Sequence, residues 1–216
     1  MTTKELNNFN PVKKPDTTIY HPLTTITPAL LLLTLVIMAL TACLFEEKDS
    51  VTLKQNYVIL DFENEEQLDE LSWKCGTTYE LSREHAATGQ YSLKIEMYPK
   101  VTWPGFGKGI KKSWAGYNYL SINIFNPAPE TVQLSYRIDD RHDNPPYNDR
   151  ANGRLLIVPG TNLISFNLKE LKTSDSKRHL NLNEVCSLLL FLHNPNQKTT
   201  LYLDDLTLSN IPTESK

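Results

Sequence analysis

The chain has 216 residues, with 22 basic and 25 acidic side chains and a formal net charge of -3 at pH 7. That length suits one domain, alone or with a processing segment. Charged residues at 22% and aromatics at 9% exclude wholesale disorder, and the mild acidity argues against nucleic acid as a general partner, because phosphate binding needs a basic field.

The first element in chain order is apolar. After a polar lead over residues 1–28, Ala29 to Ala42 reads Ala-Leu-Leu-Leu-Leu-Thr-Leu-Val-Ile-Met-Ala-Leu-Thr-Ala. That is shorter than the roughly 20 residues a bilayer crossing needs, but it fits the apolar region of a signal peptide. Lys4, Lys13 and Lys14 supply the positive flank, and the run ends Leu40-Thr41-Ala42-Cys43. Here the sequence resembles a bacterial lipoprotein signal, whose terminal cysteine is acylated and becomes the mature N-terminus. The resemblance implies a signal peptide over 1–42, lipidation with diacylglycerol and palmitate at Cys43, and a membrane held through lipid alone. Leu44 after the cysteine implies a place at the outer membrane of the cell envelope, facing periplasm or exterior. The competing reading is an uncleaved N-terminal membrane helix with Cys43 incidental. Cutting at Cys43 leaves 19 basic and 23 acidic groups, a net of -4.

Residues 43–56 read as the lipidated cysteine and a polar tether. Export would place Cys75 and Cys186 where disulfides persist. Two readings of that pair stay open: a bridge across 111 positions, or two unpaired thiols behaving as small hydrophobes. Three cysteines without ligand spacing argue against zinc.

From residue 57 onward strand follows strand. Apolar or alternating segments occupy 57–62, 77–83, 92–98, 119–126, 131–139, 154–158, 162–168, 185–192 and 200–208. Turn residues such as Thr88-Gly89-Gln90, Pro159-Gly160-Thr161 and Asn194-Pro195-Asn196 separate them. Short helices are predicted only at 65–71 and 168–171. Many short strands and little helix make the chain all-β, a sandwich or barrel. Alternation turns Leu120, Ile122 and Ile124 inward, with Val132, Leu134, Tyr136 and Ile138. If these two strands are neighbours, Ser121, Asn123, Gln133, Ser135 and Arg137 share one outer face.

Four segments carry a further resemblance: Ile59-Leu60-Asp61-Phe62-Glu63, Thr88-Gly89-Gln90-Tyr91-Ser92-Leu93-Lys94, Trp114-Ala115-Gly116-Tyr117 and Leu201-Tyr202-Leu203-Asp204-Asp205-Leu206. In order and spacing they are similar to a galactose-binding-like jelly-roll, the β-sandwich of many carbohydrate-binding modules. The resemblance covers 57–210, with 211–216 left as a polar tail. The stretch Arg137-Ile138-Asp139-Asp140-Arg141-His142-Asp143, then Tyr147-Asn148-Asp149-Arg150-Ala151-Asn152, resembles a subset of these modules found in lipoproteins or beside VanZ-type membrane domains. Ala151 stands where that subset has an aromatic. The same fold is shared with the complex I intermediate-associated protein family, so the resemblance alone does not choose the ligand.

Sugar binding needs planar donors and acceptors for hydroxyls and a flat aromatic face for C–H groups. Arg137, Asp139, Asp140, His142, Asp149, Arg150 and Asn152 offer the first; Trp103, Phe106 and Tyr147 are candidate platforms, whereas Trp114 is expected in the core. The competing role for the Arg/Asp cluster is a salt-bridge network that fixes a loop. Relatives of the fold carry a structural calcium near the chain ends, and Glu63 and Asp204 lie at the matching places, as hard oxygen ligands; no other cofactor is required. The sequence has no Gly-x-Ser-x-Gly elbow, P-loop or His-Glu-x-x-His motif. It therefore points to a non-catalytic envelope lipoprotein whose jelly-roll binds carbohydrate or envelope polysaccharide. The alternative is an assembly factor that holds an envelope protein on the same fold; a glycan-active hydrolase stands behind both.

Overall fold

A computed structural model describes residues 55–212 other than Lys74 and Ser176. The signal segment 1–42, Cys43, the tether as far as 54 and the tail from 213 lie outside the described residues.

The described strands are β1 (Tyr57–Leu60), β2 (Leu71–Ser72), β3 (Thr77–Ser82), β4 (Ser92–Met97), β5 (Gly105–Gly109) and β6 (Tyr119–Asn126). They continue with β7 (Val132–Asp139), β8 (Ala151–Ile157), β9 (Gly160–Asn167), β10 (Ser187–Phe191) and β11 (Thr199–Ser209). Among the described residues helix is confined to α1 (Glu66–Asp69) and single 3-10 turns at Tyr147–Asp149 and Leu168–Glu170. No helix of the described residues is long and apolar enough to cross a membrane.

Two antiparallel sheets form the sandwich. One runs β3-β4-β11-β6-β9, with β1 also paired to β11; the other runs β2-β5-β10-β7-β8. Successive strands repeatedly cross between sheets, as in a jelly-roll. Side chains of alternating strands meet in the middle. Leu120, Ile122 and Ile124 of β6 and Leu201 and Leu203 of β11 face Leu134 and Ile138 of β7 and Leu188 and Leu190 of β10, all buried. Trp114 is fully buried among them, as its place before β6 predicts.

The inward sets of β6 and β7 are as predicted, but the shared outer face is not. The two strands belong to opposite sheets. Their polar sides therefore point away from each other, and Ser121 and Asn123 are on the far side of the molecule from Ser135 and Arg137. Alternation fixes which side of a strand is apolar; it does not say which sheet the strand joins.

Two strands escape the sequence pattern. β2 has two residues, and β5 reads Gly-Phe-Gly-Lys-Gly, which looks like a loop. Gly105 is there because a Cβ would lie 2.2 Å from the Leu190 carbonyl oxygen of the paired β10. β8 starts at Ala151 rather than Arg154, since Ala151 and Asn152 pair with Ile138 and Arg137. Ala151 is buried in the core beside Ile138, so the aromatic missing at this position is missing from the interior and not from an exposed loop.

Candidate binding site

The outward face of the β2–β8 sheet carries cross-strand rows set by its register. One row runs Gly107, Leu189, Arg137, Asn152; the next runs Gly105, Phe191, Ser135, Arg154. Over this face, and rimmed by the connections 127–131 and 192–198, lies a groove of about 1180 Å³. A smaller hollow of about 510 Å³ shares Tyr136, Tyr147 and Asn152 with it and extends toward residues 170–177.

One wall of the groove is aromatic. The Trp73 ring stacks on Phe191 with centroids 6.3 Å apart and planes 9° from parallel. Trp103 lies 6.4 Å from Phe191 and 5.4 Å from His193, centroid to centroid. The Trp73 indole N–H donates to the Trp103 carbonyl at 3.0 Å, joining the two connections that carry them. Trp73 has a φ of 63°, a left-handed conformation that costs a bulky residue on the order of 1–3 kcal/mol. The chain accepts that cost while leaving the ring 41% exposed on the groove.

The opposite wall is polar and cationic, with Arg137, Arg150, Asn152 and Arg154 lining it and Tyr147 exposed at its edge. Arg137 donates through Nε to both oxygens of Asp139, at 2.9 and 2.8 Å, and Ser187 Oγ donates to Asp139 at 3.0 Å. Asp139 thus lies behind Arg137, buried, and fixes its fork. Arg150 donates through Nε to the Pro145 carbonyl and through Nη2 to Asn144 Oδ1 at 3.1 Å. Arg137 Nη2 reaches the same amide oxygen at 3.4 Å. Burial and the adjacent Arg137 charge pull the Arg150 guanidinium below its ordinary value.

Of the sequence-predicted ligand residues, Trp103, Arg137, Tyr147, Arg150 and Asn152 come together on the groove; the others do not. Phe106 is 2% exposed, because in β5 its side chain points inward between two outward glycines, so it is core and not a platform. Asp140 is buried under Arg178, whose Nη1 and Nη2 donate to its two oxygens at 2.6 and 2.8 Å. The Asn181 amide adds a third bond at 2.7 Å. Burial pushes the Asp140 carboxyl up, but the Arg178 fork, the Asn181 amide and the Arg178 charge outweigh it and hold the group below its usual value. Asp149 accepts from Arg178 at 2.8 Å and Arg141 at 3.1 Å, and His142 is exposed in the same connection, away from the groove. The cluster therefore divides. Its acids form a network that fixes the 140–150 connection, while its two central arginines and Asn152 face the groove. Sequence reading missed Trp73, Phe191 and Arg154 at the site and Arg178 in the network; both Trp73 and Phe191 are aromatic, but Trp73 lies outside every predicted element and Phe191 lies inside a predicted strand, so neither stands out as a platform.

The chain-end acids find other partners than a metal. Glu63 Oε1 accepts from the Gln90 and Tyr91 amides at 2.8 and 2.9 Å. Asp204 accepts from the Ala87 and Thr88 amides at 2.7 and 3.1 Å, and from its neighbour Asp205. Amide hydrogens point where a calcium ion would have to sit, and no group of three or more His, Cys, Asp or Glu able to hold a metal occurs among the described residues. These residues do not fit the expected ion; they clamp the connection between β3 and β4 instead.

Cys75 and Cys186 are both free, which corrects the bridged reading. Cys75 follows Trp73 near the Trp103 end of β5, whereas Cys186 bonds through its carbonyl to Ile110, just past the other end. The strand between them spans roughly 15 Å, well beyond disulfide reach. Burial and the Asp139 charge raise the Cys186 thiol, and its Sγ–H donates toward the Arg141 carbonyl at 3.2 Å.

No protein-family model and no curated protein sequence matches the chain. Solved structures do match its fold. A family 11 carbohydrate-binding module from Clostridium thermocellum, solved in complex with a beta-1,3-1,4-mixed-linked tetrasaccharide, matches at TM-score 0.55 and 8% identity, over 74% of this chain and 98% of that one. The solution structure of CtCBM11 matches at 0.57 and 12% identity, over 75% and 99%. An exo-beta-agarase matches at 0.57 and 14% identity, over 73% of this chain but only 26% of its own. At such identities the likeness is one of fold: a jelly-roll β-sandwich of the kind carbohydrate-binding modules have.

Proposed function

We propose that the chain is a non-catalytic carbohydrate-binding module displayed by a lipoprotein of the bacterial envelope. The observation that carries this reading is the groove itself, where Trp73, Phe191 and Trp103 on one side face Arg137, Arg150 and Asn152 on the other. A sugar ring offers C–H patches to the first wall and hydroxyls to the second. The fold that family 11 modules share supports the same reading. Turnover is not expected. Glycoside hydrolysis uses two carboxyl groups about 5–10 Å apart, and among the described residues Glu130 is the only carboxylate lining the groove.

The anchor half of the proposal rests on Leu40-Thr41-Ala42-Cys43. Cys43→Ala should leave an unprocessed precursor that takes up no labelled palmitate; normal processing would remove the lipoprotein reading. For the groove, affinity electrophoresis of the full chain through gels containing neutral and charged polysaccharides is the direct test. Retardation that disappears in Trp103→Ala and Trp73→Ala is the expected result. Mobility unchanged in every gel, with an envelope protein co-purifying, would replace the glycan by a protein partner. Release of reducing ends would make the chain an enzyme.

A further inference from the structure

The polar wall of the groove holds more positive charge than its own acids neutralise. Arg137 is matched by Asp139 at 2.6 Å, but Arg150 and Arg154 have no ion pair among the described residues. Arg150 is half-buried and donates only to neutral oxygens, the Pro145 carbonyl and the Asn144 amide. The acids that could have neutralised it are committed elsewhere: Asp140 to Arg178, and Asp149 to Arg178 and Arg141. Glu130 lies on the connection between β6 and β7, and Lys198, the other cation on the rim, is paired with Glu96.

Two guanidinium groups that share one amide oxygen repel each other, and partial burial removes the water that would screen them. Such an arrangement is unfavourable when empty and is relieved by an anion with two or more oxygens. Each arginine still has Nη1 hydrogens to give, because the hydrogen bonds of both use only Nε and Nη2. Arg154, exposed and one row along on the β8 edge strand, extends the same positive strip.

We infer that the groove is selective for an acidic polysaccharide, with a carboxylate or sulfate substituent of the sugar seated between Arg137, Arg150 and Arg154 while the ring stacks against the Trp73/Trp103 wall. This rests on the groove being a glycan site and names the class of glycan it takes. The polymer's charge is what the strip recognises; uronate and sulfate ester share that chemistry.

Isothermal titration of the detergent-solubilised full chain tests it with four ligands of similar length: polygalacturonate, a sulfated galactan, a mixed-linked β-glucan and a neutral agaro-oligosaccharide. At least one acidic ligand should bind about tenfold or more tighter than both neutral ones, and its affinity should fall with added salt. Arg150→Gln and Arg154→Gln should each weaken the acidic ligand by about tenfold and weaken any neutral ligand by clearly less. Arg154 is exposed and its side chain holds no hydrogen bond or ion pair among the described residues, so its variant remains informative if Arg150→Gln disturbs the loop. Lys169→Gln, which removes an equal charge away from the groove, should change nothing. Trp103→Ala should weaken every ligand that binds. Neutral ligands binding as tightly as acidic ones, with the arginine variants affecting both alike, would overturn the charge selectivity while the glycan site stands. No binding to any of the four would overturn both.

Discussion

Trp73 and Phe106 show how one aromatic becomes a binding surface and another becomes core. Phe106 sits in Pro-Gly-Phe-Gly, a context that reads as an exposed loop, yet β10 pairs with both flanking glycines and the ring is driven inward. Trp73 follows the two-residue β2 and, with its left-handed backbone, lays its ring on Phe191 from outside. The two therefore answer differently to truncation. Phe106→Ala should cost about 3–5 kcal/mol through lost burial and a residual cavity. Its urea midpoint should fall while the folded protein keeps the ligand affinity of the parent. Trp73→Ala relieves backbone strain only slightly and removes a stacking face, so its midpoint should move by about 1 kcal/mol or less and its glycan affinity should fall about tenfold. Midpoint curves and titrations on the same two variants check the assignment, and an exchange of these two phenotypes would reverse it.

The connection between β7 and β8 is held in place by residues far along the chain. Arg178, in the segment between β9 and β10, reaches Asp140 and Asp149, 38 and 29 positions earlier. Removing it leaves Asp140, whose side chain is 1% exposed, as a buried carboxylate held by backbone amides alone. Arg178→Gln should therefore destabilise by about 1–3 kcal/mol and speed tryptic cleavage at the exposed Arg141. The double variant with Asp140→Asn should recover part of the loss, and additive effects would dissolve the pairing. This element also marks the limit of what could be read from sequence. Alternation along β6 and β7 showed the strands and their apolar sides, because a half-buried strand writes its burial into every second residue. β5 was illegible because its outward positions are glycine, and glycine signals a turn before it signals a flat sheet. At the site, Arg137, Arg150 and Asn152 were legible as a local run. Arg178, Phe191 and the division of the cluster into network and groove were not, since both depend on which distant segment folds over which strand.

For the molecule as a whole, the acids near its two ends act on one connection. Glu63 after β1 and Asp204 in β11 together accept four amides from residues 87–91, so the closing strand and the opening one tie down the same turn. Asp204 does this from a buried position, at a bulge where Asp205 takes a φ of 52°. Burial pushes its carboxyl up to about 6, against the amide bonds from Thr88 and Ala87 that favour the charged form. The sign of the linkage follows. Between about pH 4 and 6 the folded protein holds a proton at Asp204 that the unfolded chain releases, so the contribution to stability is complete below about pH 4 and is lost as pH rises through about 6. The acids held below their ordinary values by neighbours, among them Asp140 and Glu96, contribute a stability that is lost as pH falls below about 5, and because parent and Asp204→Asn share it, it cancels between them. Relative to Asp204→Asn, which cannot titrate, the parent should lose roughly 3 kcal/mol of stability between pH 4 and pH 7. The variant itself should be less stable at every pH, because both carboxylate oxygens accept hydrogen bonds and an amide turns an N–H donor toward one of those donors. Urea unfolding of both proteins at pH 4, 5, 6 and 7 measures the difference directly. Parallel curves across that range would mean that Asp204 is ionised throughout, and that the turn between β3 and β4 is held by a full charge.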